Sequence, residues 1–252
     1  MSAPDWTKSD KHYWHQYIDT YRAAFLTLGP VRTILEYGVF RGDSIRWLRS
    51  EFPDAAIIGA DIVEPTETWP RGEGIRYVQL DQGDRDQVRQ ALEEAGVDFD
   101  LVIEDGSHVP QHQALCLAET LPYVRSGGLY ILEDIHTSHP DHSYYRQACA
   151  GYPSPPATCL SVLLALQHLR ATDGRLTDRI AERLSSPGFF TVEEVTMLYR
   201  SIASIELYRR TRLPLHCCRC GSSSYNYAAM LCECGAPIFQ DADSMSFLIR
   251  KA

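Results

Sequence analysis

The chain has 252 residues, 44% hydrophobic and 23% charged, the size and composition of one large globular domain or of one domain with an appendage. A net charge of −9 argues against a nucleic-acid-binding surface, and no run of about 18 apolar residues is present to span a membrane. The opening stretch, MSAPDWTKSDKHYW, is polar and lacks the apolar core of an export signal, so the expected compartment is the cytoplasm.

Residues 11–29 (KHYWHQYIDTYRAAFLTLG) place Tyr13, Tyr17, Tyr21 and Phe25 four apart, the spacing of one helix face. The expectation is a single helix packed by an aromatic stripe. The competing reading puts one or two of these tyrosines on a ligand cleft or an oligomer contact. Residues 33–37 read as a strand, with Gly38 and Gly42 making a tight turn into a helix that starts at Ser44. The spacing Glu36-x-Gly38-x-x-x-Gly42 fits neither the dinucleotide fingerprint nor a phosphate-binding loop.

Residues 56–62 form the next strand and end near Asp61, an acid about twenty residues past the glycine turn, which suits the two hydroxyls of a ribose. A plain turn or cap aspartate competes with that role. Residues 75–80 are a third strand, and Asp81-Gln82 beyond it suit an adenine amino group, with Asp81 as a helix cap the alternative. A ribose-binding acid without a phosphate grip favours a nucleoside ligand such as S-adenosylmethionine.

Chemistry concentrates in residues 100–138. Residues 100–104 and 129–132 read as buried parallel strands joined by a helix over 110–124, opened by Pro110. A right-handed crossover then brings Asp105, His108, Glu133 and Asp134 to one sheet edge, where open α/β sheets bind ligands. Three carboxylates there repel one another unless a cation neutralises them, and hard oxygen ligands select magnesium, manganese or calcium over zinc. A histidine three residues after one of those acids is placed to accept a proton near neutral pH. Solvated acids and a surface histidine are the bland alternative. His136 is a further candidate base or a partner behind the ligands.

Residues 139–158 read as a loop, a lid or acceptor loop after the catalytic strand, with His139 and His142 as solvated loop histidines. Helices are expected over 159–169 and 176–184, and a capping box at Thr191 precedes a short segment. Residues 202–209 and 244–250 alternate like a closing antiparallel strand pair. The stretch between them holds Cys217-x-x-Cys220 and Cys232-x-Cys234, which read as two zinc knuckles, with Cys218 or His216 as substitutes for Cys217. The expected role of this stretch is a wall for the acceptor or an oligomer contact; a nucleic-acid ribbon is disfavoured by charge.

The blocks LEYGVFRGDSIRWL, IIGADI, LDQGD, DLVIEDGSH and GGLYILEDIHTS resemble class I S-adenosylmethionine-dependent methyltransferases. More narrowly, they resemble the metal-dependent sugar O-methyltransferases of antibiotic biosynthesis, of the mycinamicin and rhamnosyl types. The cysteine spacing places a zinc-ribbon-like insert between the last two strands, and the expected division is an N-terminal helical segment (1–30), a cofactor-binding core (31–210, with a lid at 136–158), the cysteine-rich insert (211–243) and a final strand (244–252). The resemblance implies a doubly wound, mostly parallel seven-stranded α/β sheet. It implies magnesium on Asp105, Glu133 and Asp134, His108 as general base, and Glu36, Gly38, Ser44, Asp61, Asp81 and Gln82 around S-adenosylmethionine. The implied acceptor is a sugar hydroxyl of a glycosylated natural product or nucleotide-sugar, and homo-oligomerisation is expected. That family does not generally carry the cysteine insert. Cephalosporin hydroxylase-like proteins share the acidic triad, so a same-scaffold enzyme with another acceptor is the second expectation. A non-catalytic cofactor-binding scaffold that recruits partners through the zinc ribbon is the third.

Overall fold

The computed structural model describes residues 5–252 except residue 241, so the first four residues of the polar opening stretch lie outside the described residues. Five strands follow one another with a helix between each pair except β2 and β3, which a loop joins: β1 (Thr33–Tyr37), α3 (Asp43–Glu51), β2 (Ala56–Asp61), β3 (Ile75–Gln79), α4 (Arg85–Ala95), β4 (Phe99–Glu104), α5 (Pro110–Thr120) and β5 (Val124–Leu132). A 3-10 turn (Asp5–Lys8) and two α-helical pieces precede them, α1 (Asp10–Tyr13) and α2 (Ile18–Phe25). After β5 come α6 (Ser143–Cys149), α7 (Cys159–Ala171), α8 (Asp178–Ser185), α9 (Val192–Ser201) and β6 (Ile202–Arg209). A short hairpin, β7 (Tyr225–Asn226) and β8 (Leu231–Cys232), separates β6 from the last strand, β9 (Met245–Lys251).

The main sheet has seven strands in the order β3-β2-β1-β4-β5-β9-β6, parallel except for β9, which runs antiparallel to both neighbours. β4 lies at its centre and is buried along its whole length, its apolar residues Phe99, Leu101, Val102 and Ile103 suiting a strand covered on both faces. One face packs against α2 and α3 through Tyr17, Tyr21, Ile45, Trp47 and Leu48. The other packs against α4, α5, α7 and α9 through Val88, Leu117, Leu163 and Leu198. Each such side chain, fully removed from water, contributes about 1.5–3 kcal/mol, and these two apolar layers are what orient the strand ends.

Several expectations need correction. The single helix over 11–29 is two helices, broken where Gln16 takes a left-handed backbone (φ 57°). Tyr17 and Tyr21 keep the stripe, whereas Tyr13 leaves it and stacks on His216 at 3.9 Å between ring centres. Tertiary contacts to the cysteine-rich stretch override the helical periodicity there. The helix expected through residue 124 ends at Thr120, and its strand begins at Val124. The loop over 139–158 contains α6, whose N-terminus His142 caps by accepting from the Tyr144 N–H (3.2 Å). The capping box at Thr191 heads a ten-residue helix, α9.

Candidate active site

The site is built by register. Glu104 pairs beside Tyr37 and beside Leu132, so the residues that follow β1, β4 and β5 emerge together. The Asp105 N–H reaches the Tyr37 carbonyl (3.0 Å) and the Glu133 N–H reaches the Glu104 carbonyl (2.9 Å), which carries the ladder one residue past each strand. Gly38 sits at φ 86°, and a Cβ there would collide with the Asp105 carbonyl, so only glycine permits this approach. His108 (φ 56°) and Asp134 (φ 50°) also hold left-handed backbones, a cost that functional sites commonly carry.

A cavity of about 500 Å³ lies at this edge. Of the residues expected to bind cofactor, Gly38, Asp61, Asp81 and Gln82 line it, together with Asp105, His108, Glu133 and Asp134. Glu36 and Ser44 do not. They are buried behind the glycine turn, where the Ser44 hydroxyl hydrogen-bonds the Glu36 carboxylate. Burial pushes Glu36 up to about 7 against the pull of Lys11 and Ser44. Asp61 Oδ2 accepts the Val39 and Phe40 N–H groups (2.7 and 3.1 Å), so this acid also pins the glycine turn. Asp81 accepts the Gly83 N–H (2.7 Å), and the cap of α4 is Asp84. The Gln82 amide is used at both ends: Nε2 donates to Glu104 (2.8 Å) and Oε1 accepts from the Ser107 N–H (2.8 Å).

The acids are surrounded by cations and potential cations. Lys11, from α1, is 3% exposed; its Nζ hydrogen-bonds Asp105, lies 2.8 Å from Glu133 Oε1 and 3.9 Å from Glu36. Burial works against the ammonium charge, but Asp105, Glu133 and Glu36 outweigh it and raise the Lys11 pKa well above its usual value. Glu133 is raised by burial and by repulsion from Asp105. Asp134 behaves oppositely: burial is outweighed by His15, His136 and His108 and by the Tyr17 hydroxyl, which donates to it at 2.8 Å, so its pKa falls below the ordinary carboxylate range. His108 Nε2 lies 3.8 Å from Asp134 Oδ2. Burial opposes its charge, yet Asp134, Asp105 and Glu104 raise its pKa. His136 stands 3.9 Å from Asp134, and burial lowers it to about 4, which makes it a neutral neighbour at pH 7.

Ligand atoms of Asp105, His108 and Asp134, two carboxylates and an imidazole, lie within 4.8 Å of one another, and Glu133 stands outside that group while lining the same cavity. Glu133 Oε1 is buried and lies 2.8 Å from the Lys11 ammonium. Lys11 and His15 were not found by sequence reasoning. A lysine in a polar opening run has no pattern to distinguish it from a solvated one, whereas Tyr17 had been flagged by its stripe.

The cysteines form a second cluster. Cys217, Cys220, Cys232 and Cys234 have sulfurs within 4.8 Å of one another, with Cys217–Cys234 at 3.7 Å and Cys220–Cys232 at 3.5 Å. A tetrahedron with zinc–sulfur arms of about 2.3 Å has edges of about 3.8 Å. Cys217, not Cys218, is the member from this end of the insert, and His216 is stacked on Tyr13 outside the cluster.

The sheet order and the ligand edge define a Rossmann-like methyltransferase fold. Residues 35–135 match the methyltransferase domain family. The chain is 30% identical over 210 residues to the 8-demethyl-8-(2-methoxy-alpha-L-rhamnosyl)-tetracenomycin-C 3'-O-methyltransferase of Streptomyces olivaceus, covering 79% of this chain and 50% of that one. It is 36% identical over 113 residues to the mycinamicin VI 2''-O-methyltransferase of Micromonospora griseorubida, covering 42% of this chain and 28% of that one. Among solved structures it resembles the methyltransferase MycE of mycinamycin biosynthesis in complex with Mg, SAH and mycinamycin VI. That match has a TM-score of 0.61 at 22% identity and covers 99% of this chain and 54% of that one. The chain thus spans about half the length, or less, of these curated relatives.

Proposed function

We propose that this protein transfers a methyl group from S-adenosylmethionine to a hydroxyl of a sugar on a glycosylated small molecule. A hard divalent ion, magnesium first, assists; Asp105, Glu133 and Asp134 hold it, and His108 is the general base. The observation that carries this reading is the convergence of those four residues in one cavity with Gly38, Asp61 and Asp81. The relatives' names support a sugar hydroxyl as acceptor.

The cofactor supplies a methyl group already activated as a sulfonium, and the ion supplies Lewis acidity toward the acceptor hydroxyl. What remains for the chain is alignment and proton removal. Asp61 and the glycine turn form the ribose side of the cavity, and Asp81 its far wall. His108 Nε2 accepts the hydroxyl proton, and Asp134, 3.8 Å away, stabilises the imidazolium that results. The four cysteines are proposed to hold a structural zinc.

Titration calorimetry of S-adenosylhomocysteine into chelator-treated protein, with and without magnesium, tests the reading before any acceptor is known. Cofactor binding with a magnesium response that Asp105→Ala abolishes is expected. Glycoside acceptors would then be screened by mass gain, with His108→Ala lowering turnover by about 10²–10⁴-fold. Cofactor binding without any magnesium response sinks the metal-assisted half, and no binding sinks the whole reading.

A further inference from the structure

The segment ahead of α2 runs from the cysteine cluster to the acidic cluster and is fixed at both ends. At the cysteine end, the Leu215 N–H donates to the Tyr13 carbonyl (2.8 Å), Gln16 Nε2 donates to the Leu213 carbonyl (2.6 Å), and Tyr13 stacks on His216, the residue before Cys217. The Arg210 guanidinium covers the Trp14 ring at 4.9 Å and hydrogen-bonds Asp243 and the Ile238 carbonyl, tying both ends of the insert to this segment. The Tyr208 hydroxyl hydrogen-bonds the His15 and Gln16 carbonyls, 3.2 Å each. At the acidic end, Lys11 enters between Asp105 and Glu133, and Tyr17 donates to Asp134. A four-residue helix has too few internal hydrogen bonds to hold itself, so these outside contacts set where Lys11 points.

The ammonium occupies contested space. A magnesium-sized ion shared by Asp105 and Glu133 would stand about 2.0–2.1 Å from their oxygens. The Lys11 Nζ is already against the same two carboxylates, 2.8 Å from Glu133 Oε1 and hydrogen-bonded to Asp105. Steric exclusion and like-charge repulsion both prevent the two cations from sharing that position.

We propose that Lys11 is the built-in counter-ion of the acidic site, delivered by a segment that the cysteine-rich insert clamps, and that it competes with the divalent ion for Asp105 and Glu133. This inference rests on the ligand set given under the proposed function. It assigns the insert a role: it positions Lys11, and so sets how tightly the site takes its metal. Without metal the ammonium keeps the acids from repelling one another, and metal entry requires it to swing away.

The test uses the full zinc-loaded chain and manganese(II) chloride, with free manganese read by electron paramagnetic resonance. Lys11→Met keeps the stem and removes the charge; it is expected to bind manganese at least about tenfold more tightly than the wild type. Lys11→Gln serves if the methionine variant does not fold. Cys220→Ser with Cys234→Ser, which loosens the clamp, is expected to shift affinity in the same direction by less. Equal or weaker manganese binding in the lysine variants overturns the competition. Tighter binding in the lysine variants with none in the cysteine pair overturns the clamp as the delivering element. Absence of manganese binding in wild type and variants alike removes the ligand set itself, and the competition with it.

Discussion

At the scale of single residues, the site depends on backbone conformations that side chains ordinarily avoid. Gly38 must approach the Asp105 carbonyl from φ 86°, and His108 and Asp134 accept left-handed geometry to turn their side chains toward one another. Gly38→Ala adds both a collision with main chain and a strained φ; urea denaturation should show a loss of about 2–4 kcal/mol, with cofactor binding lost in calorimetry. That Asp105, His108, Glu133 and Asp134 line one cavity was legible because residues following two consecutive parallel strands must emerge at the same edge. The roles of Glu36 and Ser44 were not: they read as pocket residues, yet Ser44 folds back onto Glu36 beneath the glycine turn. Lys11 was invisible because its partners lie 25 to 122 positions away in the chain, and no local spacing encodes them.

At the scale of elements, local rules held where a segment's contacts are local. The box at Thr191 is complete: Thr191 Oγ1 accepts the Glu194 N–H (3.1 Å), and Glu194 Oε2 accepts the Thr191 N–H (2.7 Å). Thr191→Ala should therefore cost about 1 kcal/mol in chemical denaturation, with little effect on cofactor affinity, because α9 packs on the face away from the glycine turn. The first helix failed for the opposite reason. Its periodicity is real through Tyr17, Tyr21 and Phe25, but Tyr13, Trp14 and Gln16 find better partners in the insert and break it. In the same way α6 was missed because proline and histidine dominate its surroundings, and a histidine ring supplies the cap that serine or aspartate usually provides.

At the scale of the whole molecule, two cores of different kinds coexist. The sheet is held by two extensive apolar layers, whereas among the described residues the insert's buried apolar cluster is Cys217, Cys232, Ala236 and Ile238, two of them cysteines. So small a core needs a staple, and metal on the sulfurs is the one its geometry fits. With zinc on the four sulfurs as proposed, its removal by a strong chelator should raise hydrogen exchange across the insert and across the segment that carries Lys11. The strands β1, β4 and β5 should stay protected, since their layers do not include the insert. Uniform deprotection of the whole chain would contradict that independence.

The sequence by itself determined the order of the first five strands, the parallel core and the edge at which the acids gather, because apolar periodicity and glycine turns act over a few residues. It also determined that four cysteines are grouped. Only the tertiary structure decided that Cys217 and not Cys218 completes that group, that Glu36 and Ser44 stand behind the cavity, and that a lysine from the first turn of chain lies between the acids. Those outcomes depend on which groups are excluded from water together once the sheet closes, and burial of that kind brings together residues far apart in the chain.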